Sequence, residues 1–314
     1  MKIKPGINDV LWMVTGAIVL LLFIVLGLYF HKGQDPATQL TFKARRVDLV
    51  GRMQLDLASA AEAEKSAVLA ITDEDSQAFA DQARAASARV EQERRELGEL
   101  LTAGGTPAER ELLAQFRTAF AESQRIDNVL LALAVKNTNL KADRLAFGPA
   151  AAAITEMNAA LSHLVTATAD SPEAKSTMSL AFGAQISALR LQTLLPPHIA
   201  EEDDKKMDEL EALMAAEDAQ VRKTLDGLAA LPTLGHDADL ATARARYADF
   251  RKVKTQILAL SRENTNVRSL SISLNQKRNV TRVCQAALDA LQQAILADPI
   301  VGGTYGTPLR PRQW

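Results

Sequence analysis

The sequence has little of what builds covalent cross-links or metal sites. Its 314 residues contain one cysteine, Cys284, and only four histidines. A single cysteine cannot form an intramolecular disulfide, and the histidines stand on separate segments without the spacing of metal ligands. We therefore expect no disulfide, no bound metal and no other cofactor, and a fold that depends on packing.

The charge is nearly balanced, with 36 basic and 38 acidic residues. No basic stripe interleaved with aromatic residues is present, which argues against nucleic acid as a partner. The sequence also has no glycine-rich phosphate loop, no nucleophile elbow and no cysteine–histidine pair. We therefore predict that the protein is not an enzyme.

Aromatic residues make up only 4% of the chain, whereas hydrophobic residues make up 47%. Alanine and leucine dominate the apolar positions, and these residues favour helix–helix contacts over the faces of sheets. The composition therefore predicts an all-α protein with enough apolar residues for packed cores.

Residues 10–30 are 21 consecutive residues without a charge. This length spans the ~30 Å hydrocarbon core of a bilayer, and Trp12 and Tyr29 stand near its two ends, where aromatic rings prefer the headgroup region. The alternative is a cleaved signal peptide, but the run is too long for a signal core and is followed by bulky residues. We predict a single-pass transmembrane anchor that binds the lipid bilayer, preceded by a short cytoplasmic segment, residues 1–9.

The flanking charges leave the orientation of this anchor open. Lys2 and Lys4 favour a cytoplasmic N-terminus, whereas Lys43, Arg45 and Arg46 on the other side favour the reverse. In either case everything after the anchor lies on one side of the membrane, because no later segment is apolar enough to cross it.

Proline, glycine and charged clusters divide the remaining chain into helical segments. We expect turns at residues 72–76, 104–107, 148–149, 170–172, 196–197 and 232–235, and near Asn275. Thr106 before Pro107, with Glu109 three residues after the threonine, predicts a capping box at a helix N-terminus.

Residues 130–164 align with residues 257–291 at an offset of 127, with ten of 35 positions identical. The shared positions include Asn137-Thr138-Asn139 and Asn264-Thr265-Asn266. Such a repeat predicts a four-helix bundle used twice, over residues 39–169 and 172–297. Two interleaved or stacked bundles of longer helices would give the same signal.

A set of motifs follows the anchor in order: Arg45-Arg46, Met53, residues 62–66, residues 130–133 and residues 137–139. In this order they resemble the four-helix-bundle sensor domain of methyl-accepting chemotaxis proteins. The resemblance implies a bundle on the periplasmic side of a bacterial inner membrane. The sequence departs from that family because it has no second membrane helix, HAMP linker or signalling hairpin, so we do not expect it to signal alone.

Asn137 and Asn264 fall on the apolar stripes of their predicted helices, whereas Asn139 and Asn266 lie off them. A buried asparagine at such a position often fixes helix register by hydrogen bonding across a bundle. The functional alternative is a polar ligand pocket within each bundle. We favour the structural role because neither site has an aromatic or arginine clamp beside it.

Glu64 also lies on an apolar stripe, and its counterpart at the repeat offset is Leu191. We expect a half-buried carboxylate that pairs with Lys65 or with an arginine of another helix. Ligand binding is the alternative, and Glu64 is the best single candidate for a ligand contact.

Residues 298–314 form a tail rich in proline and glycine that carries large rings and basic groups. Its candidate partner-docking residues are Tyr305, Arg310, Arg312 and Trp314. Such residues are typical anchors in protein interfaces.

Two functions remain. The first is a non-catalytic accessory subunit that docks on a larger membrane complex, of respiratory or photosynthetic type, through its bundles and tail. The second is a chemoreceptor-like ligand-binding module that signals through a separate protein. The sequence also allows a homodimer.

Overall fold

The computed structural model describes residues 36–300, and all regular secondary structure in this range is helical. The predicted all-α class is therefore confirmed. The α-helices are α1 (Pro36–Leu69), α2 (Asp73–Gly104), α3 (Pro107–Ala134), α4 (Thr138–Leu145), α5 (Ala151–Ala167), α6 (Ala174–Thr193), α7 (Leu195–Ala200), α8 (Asp204–Ala229), α9 (Ala238–Glu263), α10 (Thr265–Ile272) and α11 (Arg278–Ala297). Two π-helical turns, Ala146–Ala150 and Ser273–Lys277, join α4 to α5 and α10 to α11.

The predicted membrane anchor, residues 10–30 with Trp12 and Tyr29, lies outside the described residues, as does the segment 1–9. Within residues 36–300 no helix is both long and apolar enough to cross a membrane.

The chain divides into two compact units. Within the described range, unit 1 consists of residues 36–55, Arg89–Arg117 and residues 285–300, and unit 2 consists of Asp56–Ala88 and Thr118–Cys284. These boundaries differ from residues 39–169 and 172–297, which remain a prediction drawn from the repeat.

Unit 1 is built from the first part of α1, the last part of α2, the start of α3 and most of α11. Gln54 donates a hydrogen bond of 2.7 Å from Nε2 to Oδ1 of Asp289, which ties α1 to α11. At the start of α3 the backbone N–H of Thr106 donates to Glu109 Oε2 (2.9 Å), and the N–H of Glu109 donates to Thr106 Oγ1 (3.2 Å). The predicted capping box is therefore confirmed.

Unit 2 contains a ring of four helices in which α5 packs on α6, α6 on α8, α8 on α9, and α9 on α5. Its interior is filled mainly by alanine and leucine side chains. The contact between α6 and α8 is close, because a Cβ atom added to Gly183 would lie 3.2 Å from Thr224 and one added to Gly227 would lie 3.2 Å from Leu180. Glycine at these two positions allows the backbones to approach.

Three of the predicted turns are wrong, because the chain stays helical at residues 148–149 and 196–197 and at Asn275. Pro149 lies inside a π-helical turn, which already departs from the regular ladder that a proline would interrupt. Residues 196–197 lie in the first turn of α7, where backbone N–H groups have no helical partner to lose.

Candidate functional site

Asn137 and Asn264 do not continue their helices as the stripe predicted. Each has a left-handed backbone conformation, with φ of 51° and 53°, and they are the described non-glycine residues with positive φ. Each is followed by an eight-residue helix and a π-helical turn. The repeat is therefore present in the backbone itself, and both copies place the break at the same asparagine.

The helices that start after these asparagines, α4 and α10, meet and cap each other. The backbone N–H of Thr138 donates to Thr265 Oγ1 (3.2 Å), and the N–H of Thr265 donates to Thr138 Oγ1 (3.1 Å). The N–H groups of Asn139 and Asn266 donate in the same reciprocal way to the side-chain oxygen of the other, at 3.1 Å in both directions. The first N–H groups of a helix have no partner within it, so each helix here supplies the cap of the other.

The side-chain amides complete this contact, which we call the Asn-Thr-Asn junction (residues 137–139 and 264–266). Nδ2 of Asn139 donates to Asn264 Oδ1 (2.7 Å), and Nδ2 of Asn266 donates to Asn137 Oδ1 (2.9 Å). The pattern follows a local two-fold relation between the repeats.

The remaining groups of the junction also have partners. Asn137 donates from Nδ2 to Asp73 and Ser76, and Asn264 donates to the carbonyl oxygen of Glu201. Asn139 is buried, although the stripe predicted it off the apolar face. The junction holds two helix starts together, and each of its four side-chain amides donates a hydrogen bond within the chain.

Glu64 is buried, with 1% of its surface exposed. Beside it, the ammonium group of Lys277 donates to Asp127 Oδ2 (2.6 Å) and Ser123 Oγ (2.6 Å). Ser273, from the same π-helical turn as Lys277, hydrogen bonds to Glu64. We call these five residues the Glu64 cluster.

The Glu64 cluster contains two carboxyl groups and one cation. Burial raises the pKa of Glu64, and the hydrogen bond from Ser273 and the charge of Lys277 offset part of that rise. Burial also raises the pKa of Asp127, against the opposing effect of Lys277. Lys277 acts more strongly on Glu64 than the predicted partner Lys65 does. One oxygen of each carboxyl, Glu64 Oε1 and Asp127 Oδ1, has no hydrogen-bond partner.

The sequence did not indicate that His198 is a buried residue with polar partners. His198 Nδ1 lies 2.8 Å from Ser261 Oγ, and Nε2 lies 2.9 Å from Glu211 Oε1. The order serine, histidine, glutamate is that of a catalytic triad, but the Ser261 hydroxyl donates to the carbonyl oxygen of His198 and is itself fully buried. The arrangement holds α7 against α8 and α9.

Cys284 is buried, as is Met157 at the equivalent position of the repeat. Burial raises the pKa of its thiol to about 11, so the reactive thiolate is scarce at neutral pH.

Unit 1 holds a cavity of about 280 Å³. Its polar lining includes Lys43 and Arg46, which form a hydrogen bond to the carbonyl oxygen of Asp298 (2.6 Å) and an ion pair with Glu109 (2.7 Å), respectively. Both cations therefore serve contacts within the unit.

The candidate docking residues Tyr305, Arg310, Arg312 and Trp314 lie outside the described residues. No protein-family model matches the chain, and no match is found among curated proteins. The resemblance to the chemotaxis sensor domain therefore stays a prediction.

Proposed function

We propose that the protein is a non-catalytic, membrane-anchored accessory or scaffold subunit of a larger bacterial membrane complex. The observation that carries this proposal is the Asn-Thr-Asn junction. The asparagines that would have lined a ligand pocket, Asn137 and Asn264, hydrogen bond within the chain instead. Buried polar groups that hydrogen bond to each other make a helical body rigid. Such a body is suited to binding a partner through its outer surface.

The proposal includes a single-pass anchor at residues 10–30 in the bacterial inner membrane and a periplasmic helical part. That part is two four-helix bundles built from the repeat, and docking uses the bundles and the tail. The host is an integral-membrane assembly of respiratory or photosynthetic type. No nucleic acid, metal or cofactor enters the proposal.

Extraction of membranes in mild detergent tests this function. We expect the full chain to co-purify in fixed stoichiometry with an integral-membrane complex identified by mass spectrometry. Deletion of residues 301–314 should reduce that co-purification at least tenfold, because it removes the proposed anchors Tyr305 and Trp314. The cut leaves Asp298, whose carbonyl oxygen accepts from Lys43, in place.

Arg310→Gln/Arg312→Gln is the milder matched variant, which keeps the length of the tail and both rings. A full chain that purifies alone, or a deletion that leaves the complex intact, would count against the proposal.

The second candidate is a chemoreceptor-like sensory module that signals through a separate protein. The observation that favours it is Glu64, a buried carboxyl with one unpartnered oxygen. Polar groups poised in this way occur in ligand sites as well as in structural clusters.

Glu64→Leu separates the two functions. We expect a rise of a few degrees in melting temperature with co-purification unchanged, because the desolvation cost of Glu64 disappears and the equivalent position already accepts Leu191. Glu62→Leu, on the exposed face of the same helix, is the control and should be nearly neutral. Loss of a co-purifying ligand or signalling partner in Glu64→Leu alone would favour the sensor.

A further inference from the structure

One carboxyl group in unit 2, that of Asp218 in α8, has three basic side chains around it. Asp218 is buried, with 6% of its surface exposed. Arg222 Nε donates to its Oδ2 (3.0 Å), Arg251 Nε lies 3.1 Å from its Oδ1, and Lys254 Nζ lies 3.9 Å from the same Oδ1. The hydroxyl group of Tyr247 also donates to Oδ1 (2.7 Å). We call Asp218, Arg222, Arg251 and Lys254 the Asp218 cluster.

The Asp218 cluster carries two more positive charges than negative ones. Tyr247 adds no charge, because burial and the neighbouring carboxylate raise the pKa of its hydroxyl group. In the part of the chain that the structure describes, the three basic groups form ion pairs with no acidic residue other than Asp218. One carboxylate therefore leaves most of the positive charge of the cluster unbalanced.

The basic groups also keep most of their hydrogen-bonding capacity. Both arginines contact Asp218 through Nε, and no residue among 36–300 accepts a hydrogen bond from their Nη atoms. The ammonium group of Lys254, at 3.9 Å, is too far from Oδ1 for a hydrogen bond, although only 14% of the side chain is exposed. Arg222 and Arg251 are half exposed, so a ligand can reach their Nη donors from solvent.

Lys254 lies in surroundings that lack negative charge. Burial lowers the pKa of its ammonium group, Asp218 offsets part of this effect, and the charges of Arg251 and Arg222 add to it. A charge removed from water usually has a paired and hydrogen-bonded partner. An anion bound beside Lys254 would supply both the missing charge and the missing acceptor.

The Asp218 cluster is not a by-product of the repeat. The offset of 127, continued back along α3 and α9, places Gln124 and Asp127 at the positions of Arg251 and Lys254. The first copy thus has a neutral residue and an acidic one where the second copy has two cations. These cations therefore belong to the second copy alone.

We propose that the Asp218 cluster binds a doubly charged phosphate group through the Nη atoms of Arg222 and Arg251 and the ammonium group of Lys254. The two excess positive charges match the two negative charges of inorganic phosphate or a phosphate monoester near neutral pH. Guanidinium groups suit phosphate because they contact two of its oxygens at once, and lysine binds it as a point charge.

The distances within the cluster allow one ion to contact more than one cation. Nε of Arg251 and Nζ of Lys254 lie 3.1 and 3.9 Å from the same oxygen, so they are at most about 7 Å apart. The Asp218 carboxylate does not compete for the ion, because it is buried and both its oxygens already accept hydrogen bonds. This inference does not rest on the proposed function, since it uses only contacts within unit 2.

Calorimetric titration of the full chain, in a neutral detergent and a buffer of low salt without phosphate, tests the site. We expect inorganic phosphate to bind saturably, once per chain, with a Kd of about 0.1–1 mM. Arg251→Gln should weaken binding at least tenfold, because it removes a cation with free donors. The matched control is Arg244→Gln on the same helix, whose side chain is similarly exposed and pairs with Asp226. The control should leave the Kd unchanged, and melting temperatures within a few degrees for both variants show that the fold is intact.

Other anions test the charge that the site selects. Sulfate, which is also tetrahedral and doubly charged, should bind as phosphate does. Acetate at the same ionic strength should bind at least tenfold more weakly, because it carries a single charge. No saturable binding up to about 10 mM phosphate, equal weakening in Arg251→Gln and Arg244→Gln, or acetate that binds as tightly as phosphate would overturn the proposal.

Glycerol 3-phosphate and a short-chain phosphatidic acid separate the two sources of the phosphate group, a soluble monoester and a lipid headgroup. Equal Kd values for the two identify the soluble monoester, because the acyl chains then contribute nothing. A phosphatidic acid that binds at least tenfold more tightly, and loses that binding in Arg251→Gln, identifies the lipid headgroup. Binding of the lipid alone, unaffected by Arg251→Gln, would count against the site.

Discussion

Asn264→Ala is expected to lower the unfolding free energy of the full chain by about 3 kcal/mol or more. Alanine in the left-handed conformation costs about 1–2 kcal/mol, because its Cβ crowds the following carbonyl. The substitution also leaves the amide of Asn139 and the carbonyl oxygen of Glu201 without the partners that Asn264 provides. A buried group left unpaired costs about 1–3 kcal/mol. Urea unfolding followed by circular dichroism measures the sum.

Asn264→Gly separates the two contributions, because glycine adopts the left-handed conformation freely and loses only the hydrogen bonds. We expect its unfolding free energy to lie between those of the natural chain and Asn264→Ala. Asn275→Ala, at an exposed position in the neighbouring π-helical turn, is the control and should stay within about 0.5 kcal/mol. Equal losses for glycine and alanine would show that the backbone conformation contributes nothing.

Lys277→Met is expected to cost about 3–5 kcal/mol, since it removes the cation from a buried group of charges. Methionine replaces the aliphatic part of lysine, so the volume that this part occupies in the core stays filled. Asp127 then loses its ion-pair partner, and Glu64 loses the nearby positive charge that partly offsets its burial. Lys252→Met, at an exposed lysine, should be within about 0.5 kcal/mol of the natural chain.

The pH dependence of the stability loss in Lys277→Met follows from the direction of the pKa shifts of Glu64 and Asp127. Burial raises the pKa of Glu64 and Asp127 above their values in the unfolded chain. The two buried carboxylates therefore destabilise the fold fully at a pH above the raised pKa values, and this destabilisation shrinks as the pH falls through them. Without Lys277 both pKa values rise further. The loss in Lys277→Met should therefore be larger at about pH 8 than at about pH 5.

A Glu64→Gln background provides the matched test of this coupling. It removes one of the two ionising groups and keeps the shape of the side chain, so Lys277→Met should cost less there. An equal loss at both pH values and in both backgrounds would mean that Lys277 contributes packing rather than charge.

The sequence pointed to the residues of the Asn-Thr-Asn junction but not to their conformation. The motif was found because it occurs twice, and its neighbours show apolar periodicity on both sides. That periodicity predicted an unbroken helix. The available signal was asparagine itself, which adopts the left-handed conformation more readily than other non-glycine residues.

For Glu64 too, the sequence predicted the side of the helix but not the neighbouring residues. Its place on an apolar stripe predicted a half-buried carboxylate, whereas the residue is only 1% exposed. Its main basic neighbour, Lys277, is separated from it by most of the chain, and the π-helical turn that carries Lys277 was predicted as a turn. Helical periodicity says which side of a helix faces inward, but it does not say which distant helix lies opposite.

The helical class, the repeat and the capping box at Thr106 followed from the sequence alone. Composition and internal similarity are properties of the sequence itself, and helix capping depends on residues a few positions apart. Tertiary structure decided the rest. Which helix starts cap each other at the Asn-Thr-Asn junction and which charges share the Glu64 cluster both depend on helices brought together from distant parts of the chain. Local sequence preferences determine where each helix forms, and packing between helices determines which helices lie next to each other.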